Sequence, residues 1–68
     1  MLFYIEAKIS IKVQGISGPF EGLESNLVNA TSMREAQQKF ELHVRQKHSD
    51  KMPQSIGFDY TKLAYEIR

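Results

Sequence analysis

Hydrophobic and polar residues alternate without a break over the first stretch of the chain. Phe3, Ile5, Ala7, Ile9, Ile11 and Val13 hold one phase; Tyr4, Glu6, Lys8, Ser10, Lys12 and Gln14 hold the other. A period of two sends the two sets to opposite faces of a β-strand. The isoleucines and valine add β-branched side chains that suit a pleated surface. Strands buried on both faces read as continuous apolar runs, so this pattern predicts an antiparallel sheet with one wet face. Gly15-Ile16-Ser17-Gly18-Pro19 ends the run with turn-forming residues. A second strand is predicted over residues 22–30, anchored by Leu23, Leu27 and Val28, with Gly22 marking a bulge or a late strand start.

The period then changes. Ser32-Met33-Arg34-Glu35 matches a capping box, in which the Ser hydroxyl accepts from the Glu35 N–H and the Glu35 side chain returns to the Ser32 N–H. Met33, Ala36, Phe40 and Val44 follow at helical spacing and form one stripe, the face expected to pack on the sheet. Glu35–Lys39 and Glu41–Arg45 are i,i+4 pairs in the favourable orientation. Lys47 and His48 fall in the last turn, where cations suit the helix dipole, and the helix is expected to end near His48. Ser49 to Ser55 reads as a polar loop, with Pro53 disfavouring the right-handed helical region at Met52. In the last segment Ile56, Phe58 and Tyr60 share one phase and Leu63, Tyr65 and Ile67 the other. A bulge near Thr61-Lys62 reconciles them in one strand; a short terminal helix is the competing reading.

Strand, strand, helix, strand assembles into an α+β, two-layer ββαβ fold as a single domain over residues 1–68. A hairpin followed by a right-handed helical crossover brings the third strand beside the first. The expected sheet is therefore three-stranded and antiparallel, in the order 2-1-3, with one helix on one face. Strands two and three are left as open edges, which can add a strand from another chain.

Composition narrows the function more by exclusion than by assignment. A chain of 68 residues buries only ~60% of its unfolded surface and holds a margin of about 3–5 kcal/mol. It has no cysteine, so disulfides and thiolate metal sites are excluded, and its two histidines are too few for a structural zinc site. Stability then rests on a well-patterned core or on association, including a homodimer through an open strand edge. The net charge of +1 lacks the strong basic balance of a typical nucleic-acid-binding domain. No apolar run approaches the ~18 residues of a membrane span and no secretory leader is legible, which predicts a soluble, cytoplasmic protein with no membrane partner. The glycosylation-type triplet Asn29-Ala30-Thr31 carries little meaning in that setting.

Catalytic patterns are missing: no GxSxG elbow, no HExxH and no phosphate-binding loop, since Gly15-x-x-Gly18 joins two strands rather than opening a helix. His43 and His48, five residues apart, do not share a helix face. The expectation is a non-enzymatic protein with no cofactor and no bound metal. Residues placed for partner binding are Arg34, Gln38, Leu42 and Arg45 on the outer helix face, and Tyr4, Lys8 and Lys12 on the wet sheet face. Leu42 stands opposite the core stripe, among polar neighbours. The run from His43 to Lys51, with Arg34 and Lys39, is the most basic part of the chain and supports nucleic-acid binding as an alternative. A small structural or assembly subunit is a second alternative.

An alternating hairpin, then Ala30-x-Ser32-x-x-Glu35-Ala36, then a helix and a final strand, resembles the layout of small phage and mobile-element proteins. It is similar to the DpnD/PcfM-like family and to short phage-encoded inhibitors of host enzymes and anti-CRISPR proteins. The resemblance implies a protein that binds a host protein or protein complex and inhibits or modulates it in the host cytoplasm. The slightly basic charge departs from the acidic character common among such proteins.

Overall fold

The computed structural model describes residues 1–66. Strand β1 spans Leu2–Lys12, β2 Phe20–Asn29, helix α1 Met33–Lys47 and β3 Ser55–Glu66, with one 3₁₀ turn at Ser49–Lys51. The sheet order is β2-β1-β3 and both neighbours of β1 run antiparallel to it. The helix packs on one face, as the order of elements predicts.

Alternation in β1 becomes burial directly. Phe3, Ile5, Ala7, Ile9 and Ile11 are buried under the helix, joined by Val28, Ala30, Ala36, Phe40 and Val44. Val13 and Met33 are partly buried at the margin, with Ile56, Phe58 and Tyr60 of β3. Phe40 is the centrepiece of the helix stripe. Its ring centroid lies 6.3 Å from that of Phe58 and 6.2 Å from that of Tyr60.

The connections follow from local chemistry. At the hairpin tip the Ile16 N–H donates to the Val13 carbonyl at 3.3 Å, closing a turn whose third residue, Gly15, has a φ of 84°. A side chain is disfavoured there, and glycine is the residue that turn geometry requires. Ser32 caps the helix by accepting from the Glu35 N–H at 3.2 Å. The second half of the expected capping box takes another form: Glu35 accepts from the backbone N–H and the hydroxyl of Thr31, not from the Ser32 N–H. Pro53 excludes the right-handed region at Met52, which takes φ 48° and ψ 58°.

The phase change in the last segment is a bulge in a continuous strand. β3 pairs Tyr60 with Ala7 and Lys62 with Glu6, leaving Thr61 as the extra residue. The terminal-helix alternative is excluded as far as Glu66; Ile67 lies outside the described residues. Two expectations fail in β2: the strand starts at Phe20 and runs through Gly22 without a bulge, and two of its three apolar anchors are not in the core. Leu23 and Leu27 pair with Lys8 and Tyr4, so they stand on the helix-free face and are 60% and 48% exposed. Only Val28, opposite Phe3, anchors β2 in the core. Adjacent residues of a strand cannot both face inward, and the pairing assigns that side to Val28.

Strand length outruns helix length. Fifteen helical residues span ~22 Å, whereas strands of 10 to 12 residues span ~33–40 Å. Parts of the sheet therefore lie beyond the helix. Phe20 on β2 and Leu63 and Tyr65 on β3 are on the helix side yet half exposed although their β1 partners Ile11, Ile5 and Phe3 are buried, because a single helix covers the central strand better than the two edges.

Candidate binding surfaces

The helix-free face of the sheet is built by the polar phase of β1 and its partners. Tyr4 lies between Leu27 and Ala64, and Lys8 between Leu23 and Asp59. Leu2 stands at the end of the same row. Leu2, Tyr4, Leu27 and Ala64 thus give this face an apolar half, and Lys8, Ser10, Lys12, Glu21 and Asp59 a charged and polar half in which Leu23 stands beside Lys8. Tyr4, Lys8 and Lys12 fall in one line along β1, as the alternation predicts. Between the two halves sits a hydrogen-bonded knot. Glu6 accepts from the Tyr4 hydroxyl at 3.1 Å and from the Thr61 hydroxyl at 2.8 Å. The Thr61 hydroxyl, then the Tyr4 hydroxyl, holds the Glu6 carboxyl below the usual carboxylate range, with Lys62 assisting. The bulge thus presents Thr61 to Glu6 and orients the tyrosine ring.

The outer face of α1 carries Arg34, Gln38 and Leu42, all exposed, with Leu42 at 56%. Arg45 is less free than its position suggests. Its guanidinium lies 5.4 Å above the Phe58 ring and 3.5 Å from a Glu41 oxygen. Such stacking fixes a flexible side chain over the edge of the core. Glu41 also accepts the Tyr60 hydroxyl. Burial first, then the Glu41 carboxylate, pushes the Tyr60 phenol above its ordinary value, so it remains a donor.

A third cluster joins the helix end to β2. Lys47 Nζ lies 2.9 Å from a Glu24 oxygen, His48 Nε2 3.5 Å from the other, and Lys51 Nζ 3.2 Å from His48 Nδ1. Beside them a cleft of about 190 Å³ is floored by Ile9, Ile11 and Phe20, and is open because Gly22 has no side chain there. Lys47 and His48 were legible as cations suited to the helix end; their partner across the sheet was not. His43 is exposed and away from this cluster. A wider cleft of about 450 Å³ lies between Arg45 and the Pro53–Ile56 stretch and holds no second titratable group. Among the described residues no group of three or more His, Cys, Asp and Glu side chains converges on one point. No helix among them is long and apolar enough to cross a membrane.

Burial raises the Glu24 pKa, but hydrogen bonds and charge from Lys47, then His48, outweigh it and hold the carboxyl below its ordinary value. A depressed folded-state pKa gives stability that is complete above the unfolded carboxylate pKa of about 4.3 and is lost as pH falls through the folded value. Glu24→Gln is expected to lower stability by about 0.5–1 kcal/mol at neutral pH, the size of a half-exposed ion pair. The difference from wild type closes on acidification. Urea unfolding at neutral and acid pH measures both; a gap that widened in acid would contradict the assignment.

In comparisons with protein-family models, curated protein sequences and solved structures, nothing matches this chain.

Proposed function

We propose that the chain is a small non-enzymatic protein-binding module, acting by stoichiometric contact through the helix-free face of its sheet. The observation that carries this reading is the apolar half of that face. Leu2, Tyr4, Leu27 and Ala64 are neighbours on a surface that no element of the chain covers, with Leu27 exposed and the other three partly so. Contiguous exposed apolar residues rimmed by charge are the usual composition of a contact surface, whereas scattered ones carry no meaning. The partner of fitting chemistry is a protein with an apolar patch of its own. The layout's resemblance to short phage and mobile-element inhibitors points to a protein or protein complex of a host cell, met in the host cytoplasm.

The arrangement is less suited to a polynucleotide. Lys8 faces Asp59 across the ladder and Glu6 holds the Tyr4 hydroxyl, so the basic line along β1 is interrupted by carboxylates. The test is capture of partners by tagged protein, with and without nuclease, followed by affinity measurement with the captured partner. Leu27→Asp is expected to weaken binding by about tenfold or more, as loss of a central apolar contact does, with its melting temperature unchanged. Alanine at Arg34, Gln38 and Leu42 together is expected to leave affinity within about threefold. The reverse result would move the contact to the helix face, and capture that vanishes with nuclease would favour nucleic acid.

A further inference from the structure

We infer that the free edge of β2 is where a second copy of this chain adds, antiparallel, about a two-fold axis through Leu23. This stands apart from the proposed function, since it uses the strand edge and not the sheet face.

The two edges of the sheet differ. β3 is interrupted by the Thr61 bulge and carries Lys62 next to it, both of which blunt an edge against pairing. β2 has no bulge, no proline and no basic residue over Phe20–Asn29. Its ladder phase is set by the Ala30 N–H, which donates to the Met1 carbonyl at 2.9 Å. Alternation from that pair turns the N–H and C=O groups of Glu21, Leu23, Ser25, Leu27 and Asn29 to the free edge. The far part of this edge is already engaged. The Leu27 N–H donates to its neighbour Asn26 Oδ1 at 2.9 Å, and Lys39 Nζ donates to the Asn29 carbonyl at 2.9 Å. Among the described residues nothing bonds the outward groups of Glu21, Leu23 and Ser25.

That short open segment is self-complementary in one register. With Leu23 opposite Leu23 of the second copy, Glu21 faces Ser25 and Gly22 faces Glu24, in both directions. Each outward N–H and C=O of Glu21, Leu23 and Ser25 finds a partner, and no carboxylate meets its like. Gly22 leaves open space on the helix side opposite Glu24. The next outward pair sets Leu27 against Pro19, one with its N–H already used and the other without an N–H. The ladder therefore stops on both sides where each strand has nothing left to give. Other axes fail: centring on Glu21 or Glu24 opposes two glutamates, centring on Gly22 sets Ser25 against Pro19, and centring on Ser25 sets Leu23 against Leu27 and Glu21 against Asn29, whose N–H and carbonyl respectively are already engaged. On the helix-free face the two Leu23 side chains touch, two rows away from the apolar half around Tyr4 and Leu27.

Absence of cysteine makes the register directly testable. Sedimentation over a dilution series is expected to show a mass twice the 7.8 kDa monomer. Leu23→Lys, at an exposed site, opposes two ammonium groups at the axis and is expected to yield the monomer; Leu63→Lys on β3 leaves the dimer intact. Leu23→Cys, in the otherwise cysteine-free chain, brings two Cα atoms to about 5.5 Å, inside the disulfide range, and closes a covalent dimer on oxidation. Ser25→Cys, which faces Glu21, cross-links far more slowly. A monomer throughout, a dimer that survives Leu23→Lys but not Leu63→Lys, or equal cross-linking at both cysteine positions would overturn the inference. None of these outcomes depends on a foreign partner, so they separate from those of the binding test.

Discussion

Phe40→Ala is expected to abolish the cooperative thermal transition of this protein. The side chain is 1% exposed and meets Phe58 and Tyr60 of β3 from the centre of the helix stripe. Truncating a buried phenylalanine costs about 3–5 kcal/mol, because the surroundings close only part of the cavity. A cysteine-free domain of this size holds a margin of about the same 3–5 kcal/mol. Relaxation has little to offer, since β3 is tied to β1 along its length and the helix is held at both ends, by Ser32 and by Lys47 on Glu24. Leu42→Ala, two residues on and 56% exposed, is the matched control, expected within about 0.5 kcal/mol of wild type. Far-UV circular dichroism on heating decides the matter. A Phe40→Ala protein that still melted cooperatively within a few degrees of wild type would show that the helix is not seated on this residue.

Removing a single residue is expected to have opposite consequences in β1 and in β3. Deleting Lys8 shifts one half of β1 by a position, and a shift of one turns every side chain in that half to the other face. Either Ile9 and Ile11 or Phe3, Ile5 and Ala7 would then face water, all of which are buried. Each fully buried large side chain contributes about 1.5–3 kcal/mol, so two of them amount to the whole margin of about 3–5 kcal/mol and the chain is expected to be largely unfolded. Deleting Thr61 does the reverse. Tyr60 already pairs with Ala7 and Lys62 with Glu6, so loss of the intervening residue restores plain alternation and leaves both halves of β3 on their faces. What disappears is the Thr61 hydroxyl on the Glu6 backbone carbonyl and carboxylate. Loss of a solvent-exposed contact of this kind is expected to leave the cooperative transition in place, with only a small fall in melting temperature. Amide chemical-shift dispersion separates the cases. If the Thr61 deletion collapsed as completely as the Lys8 deletion, the bulge would be a structural requirement and not an absorbed insertion.

The candidate surfaces were legible in unequal parts. Tyr4, Lys8 and Lys12 were placed on one face by alternation alone, and Leu42 on the outer helix face by its angle from Phe40. Hydrophobicity alone does not report burial in β2, where Leu23 and Leu27 face away from the helix. A count of parity across the hairpin, from Val28 inward against Phe3, would have sent both to the open face. The Glu24–Lys47–His48 cluster joins residues more than twenty positions apart, and no local spacing rule reaches that far.

Local physics therefore determined each element by itself. Period two in β1, the Ser32 cap with its helix stripe, the glycine turn, and the phase slip at Thr61 are properties of neighbouring residues, and each held in the fold. Even the strand order followed, because a crossover after a hairpin has one favoured hand. Tertiary structure decided what neighbours cannot. Register turned both leucines of β2 to the open face and Val28 to the core. One helix over three strands left Phe20, Leu63 and Tyr65 half exposed on the edge strands beside their buried partners in β1. Side chains arriving from elsewhere, Lys39 on the Asn29 carbonyl among them, closed part of one edge and left the rest open. Those outcomes depend on distances between segments that meet only once the chain has closed on itself.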